Sequence, residues 1–272
     1  MLSRARPLLG TVVAIHIRDE KTRLQQQERA LEGAFSVIAH IGRVMSAHDP
    51  SSDLGRLSTA EPQQLLALDA HTVQVIQAAH YWSRLSGGAF HPVKAARVLA
   101  GVGARPGLQL NTAVAGWADI EVLSPTTVRV GQPLTLDFGG IAKGYAVDLA
   151  ADVLLHCGVT NALINAGGDL RVIGDTSWPV DVRHAGNQLM DLRLSRLRHL
   201  AQGALATSVS SRLNAEFVKT TPAGTRLWQS ASVQAQRCLT ADVLTKWALQ
   251  SSLLCPRLRA ALRMHQARMW RS

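Results

Sequence analysis

Asp137, Lys143 and two glycine pairs, Gly139-Gly140 and Gly167-Gly168, fall within about forty positions between Leu134 and Gly174. The ammonium of Lys143 sits at a helix start, where the amides of the first turn point the same way, and together they suit a phosphate. Asp137 supplies the opposite charge nearby. Gly139 and Gly140 can take backbone angles closed to other residues, and Ala166-Gly167-Gly168-Asp169 offers a second point where backbone can approach a ligand. The chemistry this layout suggests is anion binding, while the alternative reading of the same glycines is that they only make tight corners.

Two other phosphate-binding patterns are absent here. Gly139-Gly140-Ile141-Ala142-Lys143-Gly144 lacks the Gly-Lys-Ser/Thr ending of a P-loop, so no hydroxyl stands beside the lysine to hold magnesium. Gly101-Val102-Gly103-Ala104-Arg105-Pro106-Gly107 begins like a dinucleotide fingerprint, but its last glycine is one place late and Pro106 precedes it. Neither supports an NTPase or a Rossmann enzyme.

The elements that must position these residues follow from periodicity. Leu134 to Asp137 alternates as a strand does. Ala142, Tyr145, Ala146, Leu149, Ala150, Val153 and Leu154 recur at steps of three and four, with Gly158 where a helix stops. Strands are expected at Thr11 to Ile17, Ile120 to Leu123, Val128 to Val130, Asn161 to Asn165 and on through Ile173. More are expected near Asp181 to Arg183, Leu192 to Leu194 and Ser232 to Gln234. Leu24 to Met45 reads as a helix, Asp69 as the N-cap of another through Trp82, and Ala241 to Gln250 as a third. Interspersed helices and hairpin-spaced strands predict an α+β fold. With no internal repeat or clear linker, a single functional domain is expected over residues 1–256, followed by a basic C-terminal tail over 257–272.

The chain resembles the ApbE-type FAD:protein FMN transferases, or flavin transferases, over roughly Leu9 to Leu249. Leu9-Gly10-Thr11 is similar to the family's Met-Gly-Thr opening, and Ser46-Ala47-His48-Asp49-Pro50-Ser51-Ser52-Asp53-Leu54 to its serine-rich flavin loop. Ser86-Gly87-Gly88-Ala89-Phe90-His91-Pro92 is similar to its Gly-Gly-Ala-Phe-Asp-Pro. The blocks Asp137 to Asp148 and Asn165 to Asp169 follow, then Leu205-Ala206-Thr207-Ser208 and Ala241-Asp242-Val243-Leu244-Thr245-Lys246. Each motif is weak alone. Their shared order is the signal.

The resemblance implies ApbE-like (T-fold-related) mixed sheets flanked by helices, with a flavin site between lobes. It also implies a reaction: FAD is split at its pyrophosphate with the help of a divalent cation such as Mg2+, AMP leaves, and the FMN phosphate is attached to a Thr or Ser hydroxyl of a flavoprotein acceptor. By motif position, Leu9, His48, Ala89, Phe90 and His91 would line the flavin slot, and Asp137 and Lys143 would contact FAD. The Gly140 backbone and Asp242 would face the metal.

Two departures bear on catalysis. Where many members have Asp and Thr one turn apart as metal ligands, this chain has Asp242 and Lys246, and a protonated lysine cannot ligate magnesium. Thr245, three residues from Asp242 and near it around the helix, is one replacement ligand. The Lys246 ammonium neutralising a phosphate itself is the other. The family's late histidine is also missing, because Asn214 to Thr225 contains none. His91 and His48 are the nearest substitutes, unless they only contact flavin or solvent. These departures keep open a second outcome, hydrolysis of FAD to FMN and AMP or simple flavin holding.

Composition is consistent with an anionic ligand. The chain has 272 residues, 47% of them hydrophobic, and a formal charge of +10. Part of that excess is Arg257, Arg259, Arg263, Arg268 and Arg271, read here as a solvated face, since no aromatic interleaving marks a nucleic-acid site. Cys157, Cys238 and Cys255 lack metal spacing and are expected to be reduced and buried. No window approaches the roughly eighteen apolar residues of a membrane span, and Thr11 to Ile17 belongs to a strand rather than a signal peptide, so no membrane insertion and a cytoplasmic location are expected.

Overall fold

The computed structural model describes residues 1–91, 119–132, 136–182, 196–209, 228, 230–252 and 255–271. In chain order its elements are β1 (Leu2–Leu8), β2 (Thr11–Ile17), α1 (Leu24–Val44), α2 (Asp53–Ser58), β3 (Gln64–Ala67), α3 (Ala70–Ser86), β4 (Ile120–Ser124) and β5 (Thr127–Val130). There follow α4 (Ala142–His156), β6 (Ala162–Ala166), β7 (Asp169–Ile173), β8 (Trp178–Val182), β9 (Arg196–Leu200), β10 (Gly203–Val209), β11 (Ser230–Ala235), α5 (Cys238–Leu249), α6 (Pro256–Met264) and β12 (Arg268–Arg271). They form two compact units, one of residues 1–42 and 140–272, the other of residues 43–139.

The larger unit is built on a seven-stranded sheet in the order β1-β2-β6-β7-β10-β11-β12, antiparallel throughout. In β2, Val13, Ile15 and Ile17 are fully buried and alternate with more exposed residues, the period a half-covered strand requires. Its hairpin partner β1 carries Arg4, Arg6 and Pro7 and lies at the edge, where a proline costs no ladder bond. Leu9 and Gly10 make the turn with φ of 54° and 69°, a primed geometry that glycine accepts freely and leucine rarely.

Helices α4 and α5 cover one face of this sheet, α4 against β6 and β7 and α5 against β10 and β11. Ala162, Ile164 and Ala166 of β6 are fully buried, and Leu163 between them points the other way, into a cluster with Leu170, Val172 and Leu205. Trp178, Val180 and Leu200 of the β8–β9 pair close that second cluster. α1 buries Leu31, Phe35, Ile38 and Ile41 at helical spacing, and its Gly33 lets Val153 of α4 come close.

In the smaller unit β3, β5 and β4 form an antiparallel sheet. Asp69 caps α3 by accepting the His71 amide, as its type and place predict, and the Asp69 amide donates to Asp53 of α2 at 2.8 Å. Gly87 and Gly88, both at positive φ, return their amides to Arg84 and Ser83 and end α3 in a Schellman-type turn.

The α+β class expected from the sequence is the one observed. The strand expected at Thr11 to Ile17 is β2, the helix expected from Leu24 to Met45 is α1 (Leu24–Val44), and α3 runs four residues past Trp82. The strand expected at Leu192 to Leu194 lies outside the described residues, as do Leu134 and Thr135 of the strand before Asp137. β1 escapes sequence reading because its arginines and proline mask the alternation. The segment expected as a basic tail contains α6 and β12, and β12 pairs with β11 to complete the main sheet. Of the three cysteines, all free, only Cys238 is fully buried, whereas Cys157 and Cys255 are half-buried.

Candidate active site

The charged residues singled out around Lys143 and Asp242 meet inside the larger unit, where the first turn of α4 crosses the first half of α5. α4 starts at Ala142, one residue before the lysine, and no side chain caps it locally. Instead the Gly144 amide donates to Asp242 Oδ2 at 3.3 Å, so a carboxylate from α5 meets the positive end of the α4 dipole. Glycine is required there. A Cβ on residue 144 would lie 2.6 Å from the Cys238 carbonyl oxygen and 2.7 Å from Leu239 Cα.

The reverse arrangement holds the other helix. Arg237, at the N-cap of α5, makes no side-chain capping bond, and Asp148 of α4 does that work by accepting the Cys238 amide at 2.9 Å and the Leu239 amide at 3.0 Å. Asp148 is buried and also receives Arg171 of β7 at 2.5 Å and Arg237 at 3.3 Å. Each helix is thus capped by an aspartate of the other.

Two lysines and two carboxylates gather on the solvent side of the crossing. Lys143 bonds Asp169 of β7, and Lys246 Nζ lies 3.2 Å from Asp242 Oδ1 and bonds Ser208 of β10. Asp242 Oδ1 faces the ammonium without the alignment of a hydrogen bond and has no hydrogen-bond partner among the described residues. The carboxylates are almost wholly enclosed, Asp169 1% and Asp242 0% exposed, whereas each lysine side chain is 29% exposed. A ligand arriving from solvent therefore meets ammonium groups before carboxylates.

Hydroxyls link the two ends of this set. Thr245 Oγ1 donates to the Asp242 carbonyl at 2.7 Å, and it stands 2.6 Å from Ser208 Oγ. Lysine only donates, so the directions are determined: Lys246 to Ser208, Ser208 to Thr245, Thr245 to the helix carbonyl. Burial pushes the Asp169 carboxyl up to about 6, with the Asp242 charge adding to it and Lys143 and Lys246 opposing it. Burial alone would lower Lys143, but the charges of Asp169 and then Asp242 outweigh it and raise its pKa.

Lys143, Asp242, Thr245 and Lys246 are thus brought together, and Gly140 begins the same unit just before α4. Leu9 belongs to that unit too, in its strained turn. His48, Ala89, Phe90, His91 and Asp137 belong to the other. There His48 is exposed, in a loop where Ser46 Oγ accepts the His48 and Asp49 amides at 3.3 Å each, and Phe90 is buried. Asp137 accepts the Gly139 amide at 2.8 Å. Residues 214–225, where the late histidine is missing, lie outside the described residues. Asp169, Ser208 and Asp148 are the participants that sequence reading quotes within motifs without assigning a role. Asp169 beside its Gly-Gly turn carries a local signal, whereas Asp148 acquires its role only from α5, the helix it caps.

Comparison with known proteins places this geometry. The model of the ApbE family matches residues 9–252. A protein named FAD:protein FMN transferase from Treponema pallidum (strain Nichols) is 28% identical over 204 residues, which is 70% of this chain and 56% of that one. A second of that name, from Vibrio cholerae serotype O1, is 28% identical over 184 residues, 62% of this chain and 53% of the other. The chain therefore spans about half the length of the curated relatives it matches. Among solved structures, the flavin transferase ApbE from Vibrio cholerae superposes with a TM-score of 0.76 at 20% identity, covering 99% of this chain and 92% of that one. The flavinyl transferase ApbE of Pseudomonas stutzeri gives a TM-score of 0.78 at 17% identity, covering 99% and 91%. These likenesses establish the fold, and the family match over most of its length shows that the chain belongs to the ApbE family.

Proposed function

We propose that the chain is an FAD:protein FMN transferase. The observation that carries this reading is the crossing of α4 and α5, where two partly open ammonium groups and a helix N-terminus gather in front of enclosed carboxylates, in a chain of this family. FAD presents a diphosphate, and that is the anion such a site suits. In the proposed step the acceptor's Thr or Ser oxygen bonds to the FMN phosphorus. The pyrophosphate P–O bond breaks, AMP departs with the bridging oxygen, and the hydroxyl proton passes to solvent. Lys143 and Lys246 hold the phosphates and oppose the charge that grows on the leaving AMP.

Leu9, His48, Ala89, Phe90 and His91 contact the flavin in this proposal, and Asp137 the FAD. The acceptor is another flavoprotein. No helix among the described residues is long and apolar enough to cross a membrane.

A divalent cation belongs to the reaction as the resemblance describes it, with Gly140, Asp242 and Thr245 as the residues that would hold it. The donor set fits such an ion poorly. Thr245 has its proton on a helix carbonyl and receives Ser208, and the Asp242 oxygens face Lys246 and the Gly144 amide. Magnesium prefers octahedral oxygen ligands at about 2.1 Å, and ammonium groups stand where those oxygens are reached.

The test is to incubate the purified protein with FAD and a candidate flavoprotein, then measure covalent FMN by intact mass and AMP by chromatography. Adduct with equimolar AMP is expected. AMP without adduct across several acceptors would favour the FAD hydrolase, and neither product, with no FAD bound, would overturn the reading.

A further inference from the structure

We infer that Lys246 is a built-in cation of this site, and that Asp242 binds no divalent ion while Lys246 is present. The identity of the ligand rests on the FAD reading above; the cation argument rests on the side chains alone.

Asp242 and Lys246 are four residues apart on α5 with the acid first, the order that favours pairing on a helix. The ammonium stands 3.2 Å from Oδ1, the oxygen with no hydrogen-bond partner among the described residues, so a dication reaching that oxygen would lie against a fixed positive charge. It is anchored from the other side by Ser208, whose own proton goes to Thr245. The second carboxylate offers no escape, because Asp169 is bonded by Lys143. Both acids are thus already compensated, and the accessible surface of the four side chains belongs almost entirely to the lysines. A dication must displace an ammonium and meet two positive charges on the way in. A diphosphate meets only attraction.

The exchange has a chemical consequence. An ammonium brings one positive charge where a divalent ion brings two, and it cannot be removed by a chelator. FAD binding to this protein is accordingly metal-independent.

Two titrations on the intact chain test this. Mn2+ alone, followed by the loss of its free electron paramagnetic resonance signal, should show no saturable site below about 1 mM in the parent protein, whereas Lys246→Thr should gain one that Asp242→Asn abolishes. FAD, followed by flavin fluorescence, should bind the parent equally with and without EDTA. It should bind Lys246→Met at least about tenfold more weakly in both. Thermal melts of each variant identify any that fail to fold. Saturable sub-millimolar Mn2+ binding by the parent that is lost in Asp242→Asn would overturn the inference. So would FAD binding by Lys246→Met at parental strength. If FAD binds none of the proteins, the functional reading fails, and the Mn2+ titration still decides the cation question.

Discussion

Asp148 and Cys238 meet across two helices, the carboxylate of one accepting the first backbone amide of the other at 2.9 Å. The same carboxylate is paired with the largely buried Arg171 at 2.5 Å. Removing it leaves a buried guanidinium without a counter-charge and a helix start without its acceptor. Asp148→Ala is therefore expected to cost roughly 3–5 kcal/mol in urea unfolding. Arg237 contacts the same acid but is about half exposed, so Arg237→Ala should cost less than about 1 kcal/mol. Equal losses in the two variants would contradict this account of α5.

Gly144 carries a second prediction. Its missing side chain is what lets α4 approach the backbone of Cys238 and Leu239, so Gly144→Ala must push the helices apart although alanine is the better helix former. A loss of about 1–3 kcal/mol is expected in thermal melts, with FAD affinity falling too because Lys143 and Lys246 ride on the displaced helices. A stabilised variant would show that the crossing is looser than described.

Lys143 is tied to Asp169 and partly open to solvent. Lys143→Met removes one phosphate partner, and FAD binding should weaken by roughly 10–100-fold in fluorescence titration. Lys143→Arg keeps the charge and should recover part of that loss. Unchanged affinity in both variants would remove Lys143 from the ligand's path.

Acid titration should show two opposite slopes. Asp169 titrates at about 6 in the folded chain against an ordinary 3.8, so the folded state holds the extra proton between these values and stability falls as pH rises from about 4 to about 6. Asp19 runs the other way. Burial pushes it up, but bonds from the Thr160 amide and hydroxyl, the Lys21 amide and Thr22 pull it down to about 2, so its contribution is present above about 4 and is lost as pH falls toward 2. Urea midpoints measured across this range in Asp169→Asn should lack the first slope, and in Asp19→Asn the second.

Local signals explain what could be read in advance. The α4 period, its closure at Gly158 and the Asp69 cap each depend on residues a few positions apart, and each is observed. The charge set was legible only in part. Lys143 stands out beside its glycines, and Asp242 and Lys246 share a helix face. Asp169 and Ser208 join them only because β7 pairs with β10, a register that brings together strands more than thirty residues apart. The role of Asp148 was hidden for a related reason, since a buried acid on an apolar helix face acquires meaning only from the second helix it caps. β1 and β12 were missed because edge strands tolerate the charges and proline that obscure a two-residue period.

The pairing of β2 with β6 joins residues separated by about 145 positions, from Ile17 to Ala162. During synthesis at 5–20 residues per second, the first hairpin must wait on the order of 10–30 s for its neighbour to leave the ribosome. Through that interval Val13, Ile15 and Ile17 lack the neighbouring strand that completes their burial, while residues 43–139 emerge. The nascent chain therefore passes through a stage in which the β1–β2 hairpin has α1 to pack on it, with Arg6 over Phe35, but not yet its sheet neighbour, and this is the stage at which a holdase chaperone would have most to bind.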